Sequence, residues 1–321
     1  MRRIVIQFVF CVLCSVLFVC CTPKVQQAKV FGRYVPERKD DFAWENEYAA
    51  FRMYGPALKS ENPSNGIDLW LKNSPALAVD TMYGRELKDG RPYHINYDGN
   101  LDCYKVAHTA GCGGVVIVKD NVQCQMANVK SSHLCIGGPY DRWEIIEQTP
   151  DKFVFRLEYD SVPVGEQIYS QSLTITAQAG SPWNKAEVVL SDKVTKDNVQ
   201  LYMGGGIYLH DSVDNVFKCE KCGMVAYAED ALSDKQAAKM NYDYNGSTSQ
   251  GRAYMAVRTP GATMQQIIDG TLVSVRPYTL GDTLTYYFAA CWSQWSNGSL
   301  SFPTDDDWFN YLKNDKDTTL K

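Results

Sequence analysis

Apolar and polar residues alternate along much of the chain, which is the pattern of strands that bury one face. The alternation is clearest where Phe153, Phe155, Leu157 and Tyr159 would share the inner face. Short segments of this kind follow one another at intervals of about ten residues, with turn residues between them. They predict an all-β fold of large antiparallel sheets. The predicted strands are 48–54, 67–71, 113–118, 143–147, 153–159, 171–177, 185–190, 200–209, 224–228, 253–257, 271–275 and 284–290.

One helix is predicted near the end of the chain, over 305–313. Thr304 precedes three aspartates, and Trp308, Tyr311 and Leu312 form an apolar stripe. A threonine cap, acids in the first turn and a lysine in the last turn are favourable at these positions of a helix.

Three other segments have weaker patterns. Residues 231–240 are predicted as a short helix, and the Asn, Gly and Ser content of 241–251 predicts a loop. The largely polar segment 79–91 is expected to be a loop-like connection.

The N-terminus carries an export signal. Two arginines precede an apolar run over 4–19, and Cys20 and Cys21 follow at once, as in a signal peptide with a lipoprotein-type cleavage site. We expect residues 1–20 to be removed and Cys21, which follows a small residue, to carry the lipid. An ordinary cleaved signal is the alternative. Residues 21–33 would then be a tether and 34–321 a single domain, anchored by lipid to the outer membrane and facing the periplasm.

The charge of the chain restricts its partners. Removal of Arg2 and Arg3 with the signal changes the net charge from −5 to −7. Nucleic-acid binding depends on Lys and Arg that neutralise phosphates, so the acidic mature chain argues against nucleic acid as a partner. The expected partners are an oligosaccharide or polysaccharide fragment, and the membrane through the N-terminal lipid.

Seven of the eleven cysteines lie beyond Cys21. Cys219 and Cys222 could form a local disulfide, half of a zinc site or a redox pair. A zinc site needs two further ligands, and the sequence has no second Cys-x-x-Cys or paired His motif. The local disulfide is therefore favoured, and we expect no metal and no cofactor.

The densest group of proton-exchanging side chains lies in the stretch 98–114. Asp102, Tyr104, Lys105 and His108 fall within seven residues, and glycines follow that allow close backbone approach. Such groups can carry out general acid–base chemistry if they converge. We take His108 and Tyr104 as candidate catalytic residues, and Lys105 and Asp102 as candidate substrate contacts.

Two further candidates lie outside this stretch. His94 could act as acid or base beside Tyr104, whereas a structural role is favoured for His133 and His210. Arg52 is a candidate contact for a substrate carboxylate, although an arginine on a strand is more often solvated or ion-paired.

Aromatic residues are abundant, with 20 Tyr and 7 Trp. Sugar rings stack on aromatic faces, so an exported β-rich protein of this composition suggests saccharide binding, although most of these rings would pack in the core. Trp44 and Glu45 are further candidate substrate contacts. The sequence has no Gly-x-Ser-x-Gly, Walker or His-Glu-x-x-His motif.

Several motifs carry a resemblance to a known family. They are 37–46, 51–58, Tyr93-His94, the 102–106 and 111–114 segments, Trp292 and 308–312. In these the chain resembles a family of bacterial exported lipoproteins catalogued as domain of unknown function 4861. Members commonly carry glycine at the position of Ala107. The resemblance implies a galactose-mutarotase-like β-supersandwich and a setting in the utilisation of polysaccharides, often uronate-rich ones.

These observations lead to one hypothesis and one alternative. The protein would act on uronate-containing oligosaccharides by metal-independent proton transfer, giving elimination, dehydration or epimerisation. His94 or His108 would be acid or base, with Tyr104 as partner, and Arg52 or Lys105 would neutralise the substrate carboxylate. The alternative is a non-catalytic glycan-binding lipoprotein on the same fold.

Overall fold

The structure is a computed structural model that describes residues 27–119, 124–126, 129–131, 134–192, 200–210, 215–231 and 250–314. Cys21 and His133 lie outside these ranges, as do the segment 1–20 that is predicted as an export signal and nearly all of the segments 231–240 and 241–251. In the described ranges, no helix combines the length and the apolar character needed to cross a membrane.

Most of the described chain is in strands. In chain order they are β1 (Phe31–Val35), β2 (Asp41–Glu45), β3 (Ala49–Met53), β4 (Asp68–Lys72), β5 (Asn100–Asp102), β6 (Cys112–Lys119), β7 (Cys124–Met126), β8 (Val129–Ser131), β9 (Leu134–Cys135), β10 (Arg142–Gln148), β11 (Lys152–Val164), β12 (Gln167–Gln178), β13 (Trp183–Asp192), β14 (Leu201–Tyr208), β15 (Val216–Cys219), β16 (Met224–Asp230), β17 (Arg252–Arg258), β18 (Met264–Ile268), β19 (Thr271–Tyr278), β20 (Thr283–Trp292), β21 (Ser296–Asn297) and β22 (Leu300–Ser301). The α-helices are α1 (Val79–Asp89) and α2 (Asp305–Asn314).

The strands form large antiparallel sheets, as the alternation predicts. Strands β1 to β5 make a five-stranded sheet in chain order, which we call the first sheet. An eight-stranded sheet has the order β10-β11-β12-β13-β20-β17-β16-β15, and a second five-stranded sheet has the order β18-β19-β14-β6-β9. The all-β prediction is therefore confirmed.

Aromatic packing joins the first sheet to the eight-stranded sheet. The ring of Phe42 stacks on Phe155 with centroids 4.4 Å apart, and Trp44 packs against the same Phe155 ring at 4.9 Å. Phe51 meets Phe288 edge to face at 5.5 Å. Burial of such large rings supplies much of the free energy that holds two sheets face to face.

The first sheet has two different faces, because side chains alternate along each strand. Phe51 and Met53 of β3 belong to the core shared with the eight-stranded sheet. On the opposite face, Trp70 packs in a smaller cluster with Met82 and Tyr83 of α1. Helix α1 therefore covers the face of the sheet that points away from the main core.

The loop-like connection expected over 79–91 is wrong, since helix α1 occupies it. No side chain near the start of the segment caps the first turn. Instead, the Glu45 carboxylate of β2 accepts the N–H groups of Ala78 at 2.8 Å and Val79 at 2.9 Å. A cap supplied by a residue 33 positions earlier leaves no local start signal in the sequence. The helix ends at Gly90, which is left-handed with φ 63°.

Strand β2, in the interior of the first sheet, was not predicted, and most of the other differences lie at sheet edges and strand ends. Strand β1 begins at Phe31, inside the expected tether 21–33, and pairs with β2. Strands β15 and β18, which the sequence did not predict, are short and form edges of their sheets. An edge strand has only one neighbour and buries less apolar surface, so its pattern is weaker.

The C-terminal helix and the local disulfide are both present as predicted. At the start of α2, the Asp307 N–H donates to Thr304 Oγ1 at 3.2 Å, and the Thr304 N–H donates back to the Asp307 carboxylate at 3.0 Å. Cys219 and Cys222 are joined by a disulfide. It lies where the chain turns from β15 into β16.

The helical state of 79–89 can be tested at Gly84. A Cβ added there would meet no atom within 4 Å. Glycine inside a helix is less favourable than alanine by about 0.5–1 kcal/mol, so we expect Gly84→Ala to raise the free energy of unfolding by that amount in urea denaturation. Gly281 is the control: it is equally open but has φ 86°, so Gly281→Ala should lower stability. A loss of stability in Gly84→Ala would contradict the helix.

Candidate active site

Four strands of the first sheet place charged side chains on the face that α1 covers. Arg52 of β3 lies opposite Asp68 of β4 in the strand register. Two residues further along β4, Trp70 lies opposite Asp102 of β5. The period of two therefore puts Arg52, Asp68 and Asp102 on one face, and Asp41 joins them from β2.

Arg52 is the centre of this cluster, and its side chain is only 4% exposed. Its Nη2 donates to the Asp68 carboxylate and lies 3.3 Å from Asp102 Oδ2. Its Nη1 donates to the Tyr93 hydroxyl at 2.9 Å and lies 3.7 Å from Asp41 Oδ2. The guanidinium also faces three aromatic rings at 5.2 to 5.4 Å, those of Tyr54, Trp70 and Tyr93. We call Arg52, Asp41, Asp68 and Asp102 the Arg52 cluster.

Burial makes the three carboxyl groups hold their protons more tightly than usual. It raises the pKa of Asp68 to about 7, with a further contribution from the negative charge of Asp102. It also raises the pKa of Asp41 and of Asp102 to about 6, against the lowering effect of the Arg52 charge. The charges of Arg52 and, at Asp41 and Asp102, of Arg38 do not fully offset the burial of the three carboxyl groups, so the cluster exchanges protons close to neutral pH.

His94 adds a neutral imidazole beside these acids. Burial, together with the Arg52 charge, lowers the pKa of His94 to about 4. Its Nδ1 lies 3.0 Å from the backbone oxygen of Asp102, which can only accept a hydrogen bond. The neutral ring therefore carries its proton on Nδ1, and Nε2 is the basic nitrogen.

An open cavity of about 240 Å³ brings these groups together. Its lining combines acidic, basic and aromatic side chains with the backbone of one loop. The lining residues are Arg52, Tyr54, Asn62, Asp68, His94, Asp102, Tyr104, Lys105, Val106 and Ala107. The structure thus brings together five of the residues that the sequence analysis selected, namely Arg52, His94, Asp102, Tyr104 and Lys105.

Among these five residues, Tyr104 has its hydroxyl bound to the protein backbone, whereas Lys105 is exposed. The Tyr104 hydroxyl donates to backbone oxygens, at 3.0 Å to Gly111 and 2.7 Å to Tyr208, and burial raises its pKa well above the usual value. Tyr104 therefore acts as an anchor of the cavity wall, rather than the proton partner of His94 that we expected. Lys105, in contrast, is exposed at the rim of the cavity.

Three other candidates lie away from the cavity lining. Trp44 is inside the core, where its indole N–H donates to Asn184 Oδ1 at 3.1 Å. Glu45 caps α1 and is ion-paired with Lys72 at 2.7 Å, with both side chains fully buried. His108 follows the turn at Ala107 and does not line the cavity. The structure thus gives Trp44 and Glu45 structural contacts in place of the substrate contacts expected.

The sequence did not identify Asp68 as a site residue. It offered Asp41 only as half of a possible carboxylate pair with Asp40, and not as a partner of Arg52. A signal was available, because alternation in 67–71 assigns Asp68 to the face opposite Leu69 and Leu71. The contact of Asp68 with Arg52 depends on the register between β3 and β4, which the pattern of either strand alone does not contain. Among the described residues, no group of three or more His, Cys, Asp or Glu side chains is placed to hold a metal ion.

Comparison with known proteins places the chain in a family. The family described as "Domain of unknown function (DUF4861)" matches residues 21–320. The chain belongs to this family. The matched region of this DUF4861 protein includes the whole Arg52 cluster and every residue that lines the cavity.

One curated relative of this DUF4861 protein is "Uncharacterized protein P7" of Formosa agariphila. The two are 25% identical over 293 residues. The similar region covers 88% of this chain and 66% of the relative, so the chain spans less than two thirds of that protein's length.

Ala107 has a backbone conformation that is unusual for a residue other than glycine. Ala107 lies in the cavity wall with φ 46°, which is in the left-handed region that glycine adopts most easily. In this DUF4861 protein, the turn after Lys105 therefore has a backbone shape that alanine does not favour. It is held by the contacts of Tyr104 and Thr109, whose hydroxyl donates to the Val106 oxygen at 2.6 Å.

The raised pKa of Asp68 makes stability depend on pH in a definite direction. A carboxyl group whose pKa is raised by folding stabilises the protein fully below its unfolded pKa, near 3.9, and this stability is lost as the pH rises through about 7. We therefore expect the free energy of unfolding to fall by about 1 kcal/mol between pH 6 and pH 8 through Asp68 alone. The lowered pKa of His94 acts in the opposite direction, mainly below pH 6.5.

Urea denaturation of Asp68→Asn at pH 6, 7 and 8 measures this contribution. The variant should show a shallower decline than the wild type, whatever its absolute stability. Asp80→Asn is the matched control, because Asp80 pairs with Arg33 at an exposed position, and its decline should equal that of the wild type. Equal slopes in Asp68→Asn and the wild type would contradict the assignment.

Proposed function

We propose that this protein acts on oligosaccharides, uronate-containing ones first, by proton transfer in the cavity beside the Arg52 cluster. The observation that carries the proposal is the open cavity lined jointly by His94, Asp68 and Asp102, with carboxyl pKa values of about 6 to 7. Groups that titrate near the working pH are efficient general acids and bases, and they are costly to keep in a buried site without a use.

The two kinds of group suit two different roles. His94 is neutral near pH 7, so its Nε2 can accept a proton. Its pKa of about 4 makes it a weak base, which suits a sugar carbon that a neighbouring cation has made more acidic. Asp68 is close to half protonated at that pH, so it can give a proton to a departing or ring oxygen. Proton removal with loss of the leaving group gives elimination, and removal followed by return of a proton gives epimerisation.

Lys105 is the residue that we assign to a substrate carboxylate. Arg52 lines the cavity, but its charge is already shared among three aspartates. Lys105 is exposed at the rim, where an anion can reach its ammonium group. A cation beside a uronate carboxylate makes the neighbouring carbon acid easier to ionise, which stabilises the transition state.

The size of the cavity suggests how a chain would be held. Pockets for drug-sized ligands run from roughly 300 to 1,000 Å³, so about 240 Å³ fits a single sugar ring and not several. Tyr54 supplies an aromatic wall on which a ring can pack. We propose that the terminal ring of an oligosaccharide enters and that the rest stays outside.

A non-catalytic glycan-binding role is the second candidate. The observation that favours it is the near-complete burial of Asp68 and Asp102, each 1% exposed. A general acid has to contact the atom that it protonates, whereas a binding site needs only the rim residues and the aromatic wall.

Turnover experiments separate the two functions. The purified protein is incubated with unsaturated uronate, saturated uronate and neutral oligosaccharides, and products are followed by ultraviolet absorbance, mass and anomer exchange. We expect loss of the mass of water or a change of configuration with one of the uronate substrates. Asp68→Asn and His94→Gln should lower kcat by about 10²-fold or more, whereas Asp80→Asn should not. Tight binding without any chemical change would support the binding role and contradict catalysis.

The pH profile tests the role of each group. Activity requires neutral His94 and protonated Asp68, so kcat/KM should rise as the pH passes about 4 and fall as it passes about 7. In Asp68→Asn the residual activity should lose the upper limb. An upper limb that persists in this variant would contradict Asp68 as the acid.

We also propose the cellular setting and the fold family that the resemblance implies. The protein would be a lipid-anchored envelope protein with a galactose-mutarotase-like supersandwich, in agreement with its acidic mature chain and its large antiparallel sheets. Metabolic labelling with a tagged fatty acid should modify the wild type and Cys20→Ala but not Cys21→Ala. Labelling of Cys21→Ala would contradict the anchor site.

A further inference from the structure

His210 lies behind the cavity wall, between two acceptors. It follows β14, and its side chain is 5% exposed. Its Nδ1 lies 3.0 Å from the carboxylate of Glu229 on β16, which is 1% exposed. Its Nε2 lies 2.7 Å from the backbone oxygen of Lys105.

The two partners, the Lys105 oxygen and the Glu229 carboxylate, show which nitrogen of the His210 ring must be a hydrogen-bond donor. The Lys105 oxygen can only accept, so Nε2 must carry a proton. On the other side, a proton lies between Nδ1 and Glu229, whether it is bonded to the ring or to the carboxyl group. Glu229 therefore keeps His210 in the form that donates to Lys105, as a carboxylate orients histidine in many sites.

This hydrogen bond acts on the wall of the cavity. The backbone of Lys105 belongs to the segment 104–107, all of which lines the cavity. Tyr104 fastens the same segment to the same strand, by donating to the Tyr208 oxygen at 2.7 Å, and its ring packs edge-on against His210 at 4.6 Å. Two anchors thus tie the wall to the end of β14, while Ala107 holds an unfavourable left-handed conformation.

We propose that His210, oriented by Glu229, is the positioning residue of this cavity. His210 holds the Lys105 carbonyl against the end of β14, on the side of the wall away from the cavity. This contact keeps the Lys105 side chain at the rim and fixes the wall that faces His94 and the Arg52 cluster. His210 itself does not line the cavity, so it acts through Lys105 and not on a substrate. The functional part of this inference rests on the proposed function, whereas the structural part does not.

Two substitutions separate the two hydrogen bonds of His210. The side-chain nitrogen of Gln takes the place of Nε2, so His210→Gln keeps a donor to Lys105 and loses the contact with Glu229. The side-chain nitrogen of Asn takes the place of Nδ1, so His210→Asn keeps the contact with Glu229 and does not reach Lys105. Both variants lose one buried hydrogen bond, so a merely structural role predicts similar effects for the two.

Hydrogen–deuterium exchange of the amides over 103–110 is the first readout, and it needs no substrate. We expect exchange to be about tenfold faster in His210→Asn, and close to the wild type in His210→Gln, with β11 and β12 unchanged in both. Equal exchange in both variants would overturn the proposal. If a variant does not fold, ¹⁵N spectra of the labelled wild type test the same hydrogen bond. His210 Nε2 should stay protonated from pH 5 to pH 8. An unprotonated Nε2 in this range would overturn the proposal.

Kinetics on any substrate that the wild type converts provide the second readout. His210→Asn should raise KM and lower kcat, because Lys105 and the wall are displaced, and His210→Gln should restore most of the activity. If the wall loosens and the kinetics do not change, the positioning role is wrong while the proposed function stands. If the wild type converts no substrate, the proposed function fails, and the exchange and ¹⁵N results still decide how the wall is held.

Discussion

The buried guanidinium of Arg52 is the interaction on which the candidate site depends. It joins carboxylates from three neighbouring strands, and the sheet register brings them to it on one face. Loss of this cation would leave three buried acids without the positive charge that lies beside all of them, at a cost of several kcal/mol. Burial lowers the pKa of His94 and the same charge lowers it further, so Arg52 affects the protonation of both the acids and the imidazole.

This arrangement does not by itself stabilise the fold. A buried ion cluster with more acids than bases is weak evidence of stability, because burial opposes each ionised carboxyl group. The rest of the molecule supplies the stability, through aromatic packing between the first sheet and the eight-stranded sheet. A second charged pair on the same face, Glu45 with Lys72, has a different use: the Glu45 carboxylate caps α1, which covers part of that face. One charged pair on this face therefore holds the helix that covers the sheet, and the Arg52 cluster holds carboxyl groups that titrate near neutral pH.

The sequence alone could predict the strands and part of the site, for physical reasons. Alternation is a local property, so it identified most strands and separated Arg52 from Phe51 and Met53. Applied to 67–71, it could also have assigned Asp68 to the charged face. Helix α1 could not be recognised, because its cap comes from Glu45 on a distant strand. The roles of Tyr104 and His210 could not be recognised either, because both depend on the contact between the end of β14 and the segment 104–107.

The most direct test of the account is a titration of aspartate carboxyl groups by ¹³C NMR, with selectively labelled aspartate in the wild type and Asp80→Asn as a surface control. Buried carboxyls around one guanidinium should appear as three resonances with midpoints near pH 6 to 7, and Asp68→Asn should remove the highest of them. If every aspartate titrated near its ordinary value of about 3.9, the cluster would hold no exchangeable proton at neutral pH, and the account of the site would be contradicted.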